Sequence, residues 1–167
     1  MKALHSTNTR SNQTNMFGLT ITRSYWLHGD FWLACVAAVL FWSTFKLLAL
    51  PLPIDITYPA LSSTLLLLII VFPVLEEIVF RGLIQESIHQ LLSHNRLPTI
   101  LLWRISSANL LTSLLFSASH LWTHSVLWAL ATLLPSLIFG YFKDQYQSLQ
   151  ASIMLHIFYN LGFYLFL

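Results

Sequence analysis

Long apolar runs, each about as long as a lipid bilayer is thick, recur through this sequence and limit the folds that it can adopt. One runs from Phe31 to Leu50, and others cover residues 98–119, 125–142 and 148–167. A helix of about 20 apolar residues crosses the hydrocarbon core of a bilayer. Only 8% of the residues are charged, whereas an ordinary soluble domain has about 25%. The chain is therefore predicted to be an integral membrane protein.

The apolar runs favour helices over strands. A membrane β-barrel needs short segments in which apolar and polar residues alternate, and a stretch such as Leu65–Val71 has no such alternation. A helix also satisfies all of its main-chain hydrogen-bonding groups internally, as hydrocarbon requires. We therefore expect an all-α, polytopic transmembrane helix bundle. It forms a single domain over residues 25–167, after a polar N-terminal tail at 1–24.

Pro73 decides how many helices are predicted. A proline inside a helix removes one hydrogen bond and disfavours helical backbone at the preceding residue, so a break is expected there. The cations Lys2, Arg10 and Arg23 of the tail favour a cytoplasmic N-terminus. With the break, the chain has about six helical segments, five or six of them spanning, at 31–50, 57–72, 74–93, 98–119, 125–142 and 148–167.

Three ionisable residues, Glu76, Glu77 and Arg81, stand within an apolar stretch. Placing one such side chain at membrane depth costs about 2.5 to 3.5 kcal/mol, so these residues are expected to face a protein interior or a wet cavity. Glu77 and Arg81 are four residues apart, which puts them on one helix face and predicts an ion pair. Glu76 points about 100° away and is left to accept a proton.

Two later segments carry pairs at the same spacing of four residues, Phe116 with His120 and His156 with Asn160. Each pair alone is explained by an interhelical hydrogen bond or by a polar residue that reaches the interface. Together with Glu76 they favour one shared polar site. At such a site Glu76 can take a proton from a water that His120 holds. His156 and Asn160 can then donate hydrogen bonds to the oxyanion of an attacked carbonyl.

A shared site also requires the break at Pro73. A straight helix over 57–80, followed by an antiparallel helix over 98–119, would separate Glu76 from His120 by about 25 Å. A new helix that begins after Pro73 crosses back and brings the two residues to the same side of the membrane.

The three motifs are Glu76-Glu-Ile-Val-Phe-Arg-Gly82, Phe116-Ser-Ala-Ser-His120 and His156-Ile-Phe-Tyr-Asn160. In order and spacing they resemble the motifs of the CAAX protease and bacteriocin-processing family, also called CPBP or Abi. Gly140 stands where that family often has a glycine before its last core helix. Other intramembrane protease chemistries lack their residues here, since the sequence has neither a His-Glu-x-x-His nor a Gly-x-Ser-x-Gly motif.

The resemblance implies an intramembrane endopeptidase of the glutamic type. It assigns Glu76 and His120 to the activation of the hydrolytic water, and His156 and Asn160 to the stabilisation of the oxyanion. The residues that it assigns to support of the site are Glu77, Arg81 and Phe116. It also implies a membrane-associated protein or peptide as the substrate, in the lipid bilayer of a bacterial inner (plasma) membrane. With only eight Lys and Arg residues, the chain is not expected to bind nucleic acid.

Two alternatives stay open at this point. Glu76, His120 and His156 could form a zinc site of one carboxylate and two histidines with an open position. A site without a metal is favoured, so no cofactor is expected. The same polar groups could also serve a non-catalytic membrane protein, such as an immunity factor or a small transporter.

Overall fold

The computed structural model describes residues 25–48, 63–96, 100–102 and 104–166. Within these ranges the chain forms five main helices, α1 to α5, and one antiparallel hairpin of two short strands. The predicted all-α helix bundle is confirmed. The predicted tail at 1–24 lies outside the described residues. In chain order the elements are α1 Gly29–Leu47, α2 Ser63–His94, β1 Ile100–Leu102, β2 Ile105–Ser106, α3 Ser107–Ser119, α4 Val126–Tyr146 and α5 Gln150–Phe166.

Helix α2 runs through Pro73 without interruption, so the predicted break is wrong and residues 63–94 form one helix instead of two. In a regular α-helix the ring of Pro73 would clash with the carbonyl of Ile69, four residues earlier. The turn before Pro73 is a wider π-turn, which gives the ring room. The α-helical parts of α2 are Ser63–Leu66, Phe72–Glu77 and Glu86–His94, and the π-helical parts are Leu67–Val71 and Ile78–Gln85.

Helix α3 begins at Ser107 and not at residue 98 as predicted. The hairpin of β1 and β2 occupies the chain before it, with Leu102 opposite Ile105. Ser106, the last residue of β2, caps α3, because its side-chain oxygen accepts a hydrogen bond of 2.9 Å from the main-chain N–H of Asn109. The sequence contains this cap, but the apolar residues before it suggested continuous helix.

The later start of α3 removes the distance problem for which the break at Pro73 was predicted. Helix α2 continues to His94, so Glu76 lies in its middle and not near its end. Helix α3 turns back along α2 and packs against it. The ring of Phe116, in the last turn of α3, lies 5.0 Å from the ring of Phe80 on α2, measured between centroids. His120 therefore reaches the level of Glu76 without a break in α2.

Helices α3, α4 and α5 pack together in sequence order, and α1 packs against α5. Two of these contacts require glycine. A Cβ atom on Gly140 of α4 would lie 1.9 Å from Oδ1 of Asn109 on α3, and one on Gly162 of α5 would lie 2.1 Å from the ring of Trp42 on α1. Both distances are far below van der Waals contact, so the helices approach closely only because these positions lack a side chain.

The bundle carries its apolar side chains outward and several polar ones inward. On α4, Leu127 and Leu134 are 71% and 67% exposed, whereas Arg81, Gln85 and Asn109 are fully buried. Helices α2 and α4 are long and apolar enough to cross a membrane. This distribution is the one expected of a protein whose solvent is lipid.

Candidate active site

Most of the side chains that the motifs predict meet where α2, α3 and α5 come together. Glu76, Glu77 and Arg81 come from α2, and His156 comes from α5. They are joined by the pair at the end of α3, Phe116 and His120. Direct contacts link all six. The seventh, Asn160, lies one turn beyond His156 and bonds to a different part of α2.

The imidazole of His156 is fixed from several directions. Its Nδ1 lies 2.9 Å from Oε1 of Glu77, and its Nε2 lies 3.6 Å from Oε2 of Glu76. Because a carboxylate oxygen accepts, Nδ1 carries the hydrogen of the first contact. The ring stacks on Phe139 at 4.7 Å and meets the edge of Phe116 at 5.9 Å. Only 5% of His156 is exposed, so its orientation is set by these neighbours.

Glu77 and Arg81 form the ion pair that their spacing predicts, with Nε of the arginine 3.5 Å from Oε2 of the glutamate. Both side chains are fully buried. Nη2 of Arg81 donates to the hydroxyl and to the main-chain carbonyl of Ser136, at 2.8 and 2.9 Å. The guanidinium also lies 5.2 Å from the centre of the Phe116 ring. Glu77 therefore contacts Arg81 through one oxygen and holds His156 with the other.

Glu76 differs from its neighbour in exposure. Its side chain is 35% exposed, whereas that of Glu77 is fully buried. Its carboxylate interacts electrostatically with the imidazoles of both His156 and His120. Of the two adjacent glutamates, Glu76 is thus the one that a water molecule and a substrate can reach.

His120 opens the 3-10 turn His120–Trp122 after α3 and is half-buried. Its Nδ1 lies 2.9 Å from the main-chain carbonyl of Phe116, which can only accept, so Nδ1 carries the hydrogen and Nε2 is left as an acceptor when the ring is neutral. The ring packs on that of Phe116 at 4.7 Å. The ring of His124, an exposed residue, lies 5.9 Å from that of His120, measured between centroids.

Asn160 donates from Nδ2 to the main-chain carbonyl of Leu68, at 3.0 Å. Leu68 belongs to the π-turn of α2 that precedes Pro73. The amide nitrogen has two hydrogens, so this contact leaves one of them for another acceptor.

Helix α4 and the second π-turn of α2 contribute residues that the motifs do not predict. Ser136 holds Arg81, Phe139 stacks on His156, and the main-chain carbonyl of Gly140 accepts from Nε2 of Gln85 at 3.1 Å. The sequence signal for these contacts is a matched spacing. Arg81 and Gln85 are four residues apart on α2, and Ser136 and Gly140 are four residues apart on α4. Residues at equal spacing on two neighbouring helices can pair one to one.

The described side chains include no group of three or more His, Cys, Asp or Glu residues arranged to hold a metal ion. Nδ1 of His156 and Nδ1 of His120 each contact a protein oxygen. In both rings the contact leaves Nε2 as the nitrogen that can hold a water molecule or a metal ion, so the zinc alternative at Glu76, His120 and His156 stays a prediction for experiment.

The apolar helix bundle thus surrounds a buried carboxylate–imidazole pair, with a second glutamate open to solvent beside it. The model of the family described as type II CAAX prenyl endopeptidase Rce1-like matches residues 58–162. The chain belongs to this family, whose members are membrane proteases. The match includes all three motifs. No curated protein and no solved structure matches the chain.

Proposed function

We propose that the chain is an intramembrane endopeptidase that hydrolyses a peptide bond of a membrane-associated protein or peptide, with Glu76 as the general base. The observation that carries this proposal is the contrast between two adjacent carboxylates. Glu77 is buried and committed to Arg81 and His156, whereas Glu76 is partly exposed and lies 3.6 Å from the same imidazole. A solvent-accessible base beside a fixed imidazole is what hydrolysis requires.

The reaction begins when Glu76 takes a proton from a water molecule. Nε2 of His120 accepts a hydrogen bond from that water and orients it, because Nδ1 of this ring donates to the carbonyl of Phe116. The resulting hydroxide attacks the carbonyl carbon of the scissile bond and forms a tetrahedral oxyanion. Glu76 then transfers its proton to the amine that leaves as the carbon–nitrogen bond breaks.

The oxyanion needs donors on the α5 side of the site. His156 donates from Nε2 when that nitrogen carries a proton, and its ring is held in place by Glu77 and Phe139. The second N–H of Asn160, the one that Leu68 does not use, is the other donor. These roles explain why a histidine and an asparagine stand one turn apart on a largely apolar helix.

The family description supports a C-terminal CAAX segment with a prenyl group as the substrate class. The apolar outer faces of α2 and α4 hold the site at the membrane, where a lipid-modified C-terminus also lies. Bacteriocin leaders and hydrophobic C-terminal sorting tails are substrates of the same physical kind, because each brings a peptide bond close to the bilayer.

The proposal is tested with Glu76→Gln, which keeps the size of the side chain but removes the base. Hydrolysis of an internally quenched, farnesylated CAAX peptide in detergent micelles should fall by about 10² to 10⁴. Glu86→Gln is the matched control, because Glu86 lies on the same helix and pairs with Lys143 away from the site. Equal rates for Glu76→Gln and the parent would reject the mechanism. A parent chain that cleaves no CAAX, leader or tail peptide would favour the immunity factor or transporter instead.

Removal of metal ions tests the second part of the proposal. If Glu76 and His120 alone activate the water, the purified chain should keep its full rate after treatment with chelator and exchange into metal-free buffer. A rate that falls with chelator and returns when Zn²⁺ is added would instead assign Glu76, His120 and His156 to a metal.

A further inference from the structure

The main-chain carbonyl of Leu68 lies in a part of α2 that lacks a main-chain N–H to bond it. In the π-turn Leu67–Val71, the N–H of Phe72 donates to the carbonyl of Leu67. The next residue, Pro73, has no N–H. The carbonyl of Leu68 therefore receives no hydrogen bond from the main chain of residue 72 or residue 73. Leu68 is half-buried in an apolar bundle, so its carbonyl needs another donor.

Asn160 supplies that donor from α5. Its Nδ2 lies 3.0 Å from the carbonyl oxygen of Leu68. One turn earlier on the same face of α5, His156 lies 3.6 Å from Glu76. Helices α2 and α5 are thus held together at two points, one at the π-turn and one at the glutamates.

We propose that Asn160 is a positioning residue for Glu76. Its amide gives the carbonyl of Leu68 the hydrogen bond that Pro73 cannot donate, and this bond holds the π-turn that precedes the glutamate. A regular α-turn contains fewer residues than a π-turn. Rewinding by one residue would rotate the following chain, including Glu76, by about 100°. A carboxylate rotated by that angle no longer faces His156.

This role rests on the proposed function of Glu76 and is compatible with a contact between Asn160 and the oxyanion. The amide nitrogen has two hydrogens, and Leu68 takes one. The hydrogen bond to Leu68 also fixes the orientation of the Asn160 side-chain amide. A carbonyl oxygen only accepts, so the nitrogen of the amide, and not its oxygen, faces Leu68. The carbonyl that Pro73 leaves without a donor therefore orients Asn160, while Asn160 holds the turn.

The first test restores a main-chain donor. Asn160→Ala removes the side-chain donor. Pro73→Ala adds an N–H that reaches Leu68 in the π register, and an unchanged kcat of Pro73→Ala alone shows that the turn keeps this register without the proline ring. We expect Asn160→Ala to lower kcat about tenfold or more with little change in KM, in the peptide assay described above. The same substitution made in the Pro73→Ala background should cost at least about threefold less. An equal loss in both backgrounds would overturn the positioning role and leave Asn160 as an oxyanion donor alone.

The second test does not depend on peptidase activity. Hydrogen exchange of the α2 amides between Leu67 and Glu77 should become about tenfold faster in Asn160→Ala, because the turn opens more often, and should slow again in the double variant with Pro73→Ala. Leu161→Ala is the matched control, since this neighbouring residue is 38% exposed and should leave exchange unchanged. Unchanged exchange in Asn160→Ala would overturn the proposal. Faster exchange in a chain whose parent cleaves no peptide would uphold the contact and count against the proposed function.

Discussion

At the scale of single residues, the two adjacent glutamates show how identical side chains acquire different surroundings. Glu77 and Glu76 point in different directions from one helix, so one is buried between Arg81 and His156 and the other reaches solvent. Their directions follow from helical geometry and could be predicted. The contact of Glu77 with His156 could not be predicted, because tertiary packing brings His156 to it from α5.

Loss of Arg81 is expected to destabilise the protein strongly. Arg81→Met leaves the carboxylate of Glu77 buried without its counter-charge, which costs about 3 to 5 kcal/mol. The double variant with Glu77→Gln removes both charges and should recover part of this loss. Thermal unfolding in detergent, followed by tryptophan fluorescence, measures both effects.

The control for this prediction is Arg104→Met. Arg104 is exposed and donates to the hydroxyl of Tyr141 at 2.9 Å, and substitutions at such positions change stability by about 0.5 kcal/mol. An Arg81→Met protein as stable as the Arg104→Met protein would show that the buried pair does not stabilise the fold.

At the scale of helices, close approach depends on residues that contribute no side chain. Helix α4 lies against α3 where Gly140 faces Asn109, and the main-chain carbonyl of the glycine is at the same time open to Gln85. The resemblance of the chain to the CAAX protease and bacteriocin-processing family drew attention to Gly140, but only the packing shows why a glycine is needed there. A methyl group would displace both the Asn109 amide and the helix that carries it.

Gly140→Ala is therefore expected to destabilise the bundle. The added Cβ would lie 1.9 Å from Oδ1 and 2.4 Å from Cγ of Asn109, and overpacking of this kind costs about 1 to 3 kcal/mol. Gly29→Ala is the control, since a Cβ there meets nothing within 4 Å. The free energy of unfolding in detergent with added denaturant measures the difference. Equal stability of the two variants would contradict the close contact between α3 and α4.

The course of α2 illustrates where helix prediction from local rules fails. The rule that proline ends a helix holds for regular α-helical turns, and the break at Pro73 was predicted on that basis. The π-turn Leu67–Val71 and the amide of Asn160 accommodate the proline instead. The donor lies 92 residues away in the sequence, so no local pattern contains it.

At the scale of the whole molecule, the apolar outer surface predicts firm insertion in a bilayer. Large apolar side chains on α2 and α4 face outward, and both helices are long enough to span. After washing of membranes with alkaline carbonate, the chain should stay in the pellet, because insertion of a spanning helix is effectively irreversible. Release into the supernatant, with a known integral protein retained, would show a peripheral association.

The class of fold and a set of candidate site residues follow from the sequence alone. The apolar runs predict helices in lipid, and ionisable residues that lipid disfavours mark Glu76, Glu77 and Arg81 without any structure. Their roles, with those of His120, His156 and Asn160, stay predictions until the variants are measured. The order of the three motifs predicts the protease family, and this prediction is confirmed.

The continuity of α2, the late start of α3 and the choice of partners inside the bundle depend on tertiary packing. Each of these depends on groups far apart in the chain, such as Asn160 with Leu68 or Ser136 with Arg81. Local sequence sets which faces of a helix are apolar and which side chains are polar. Which polar group meets which is decided when buried donors and acceptors must be satisfied all at once in a closely packed interior.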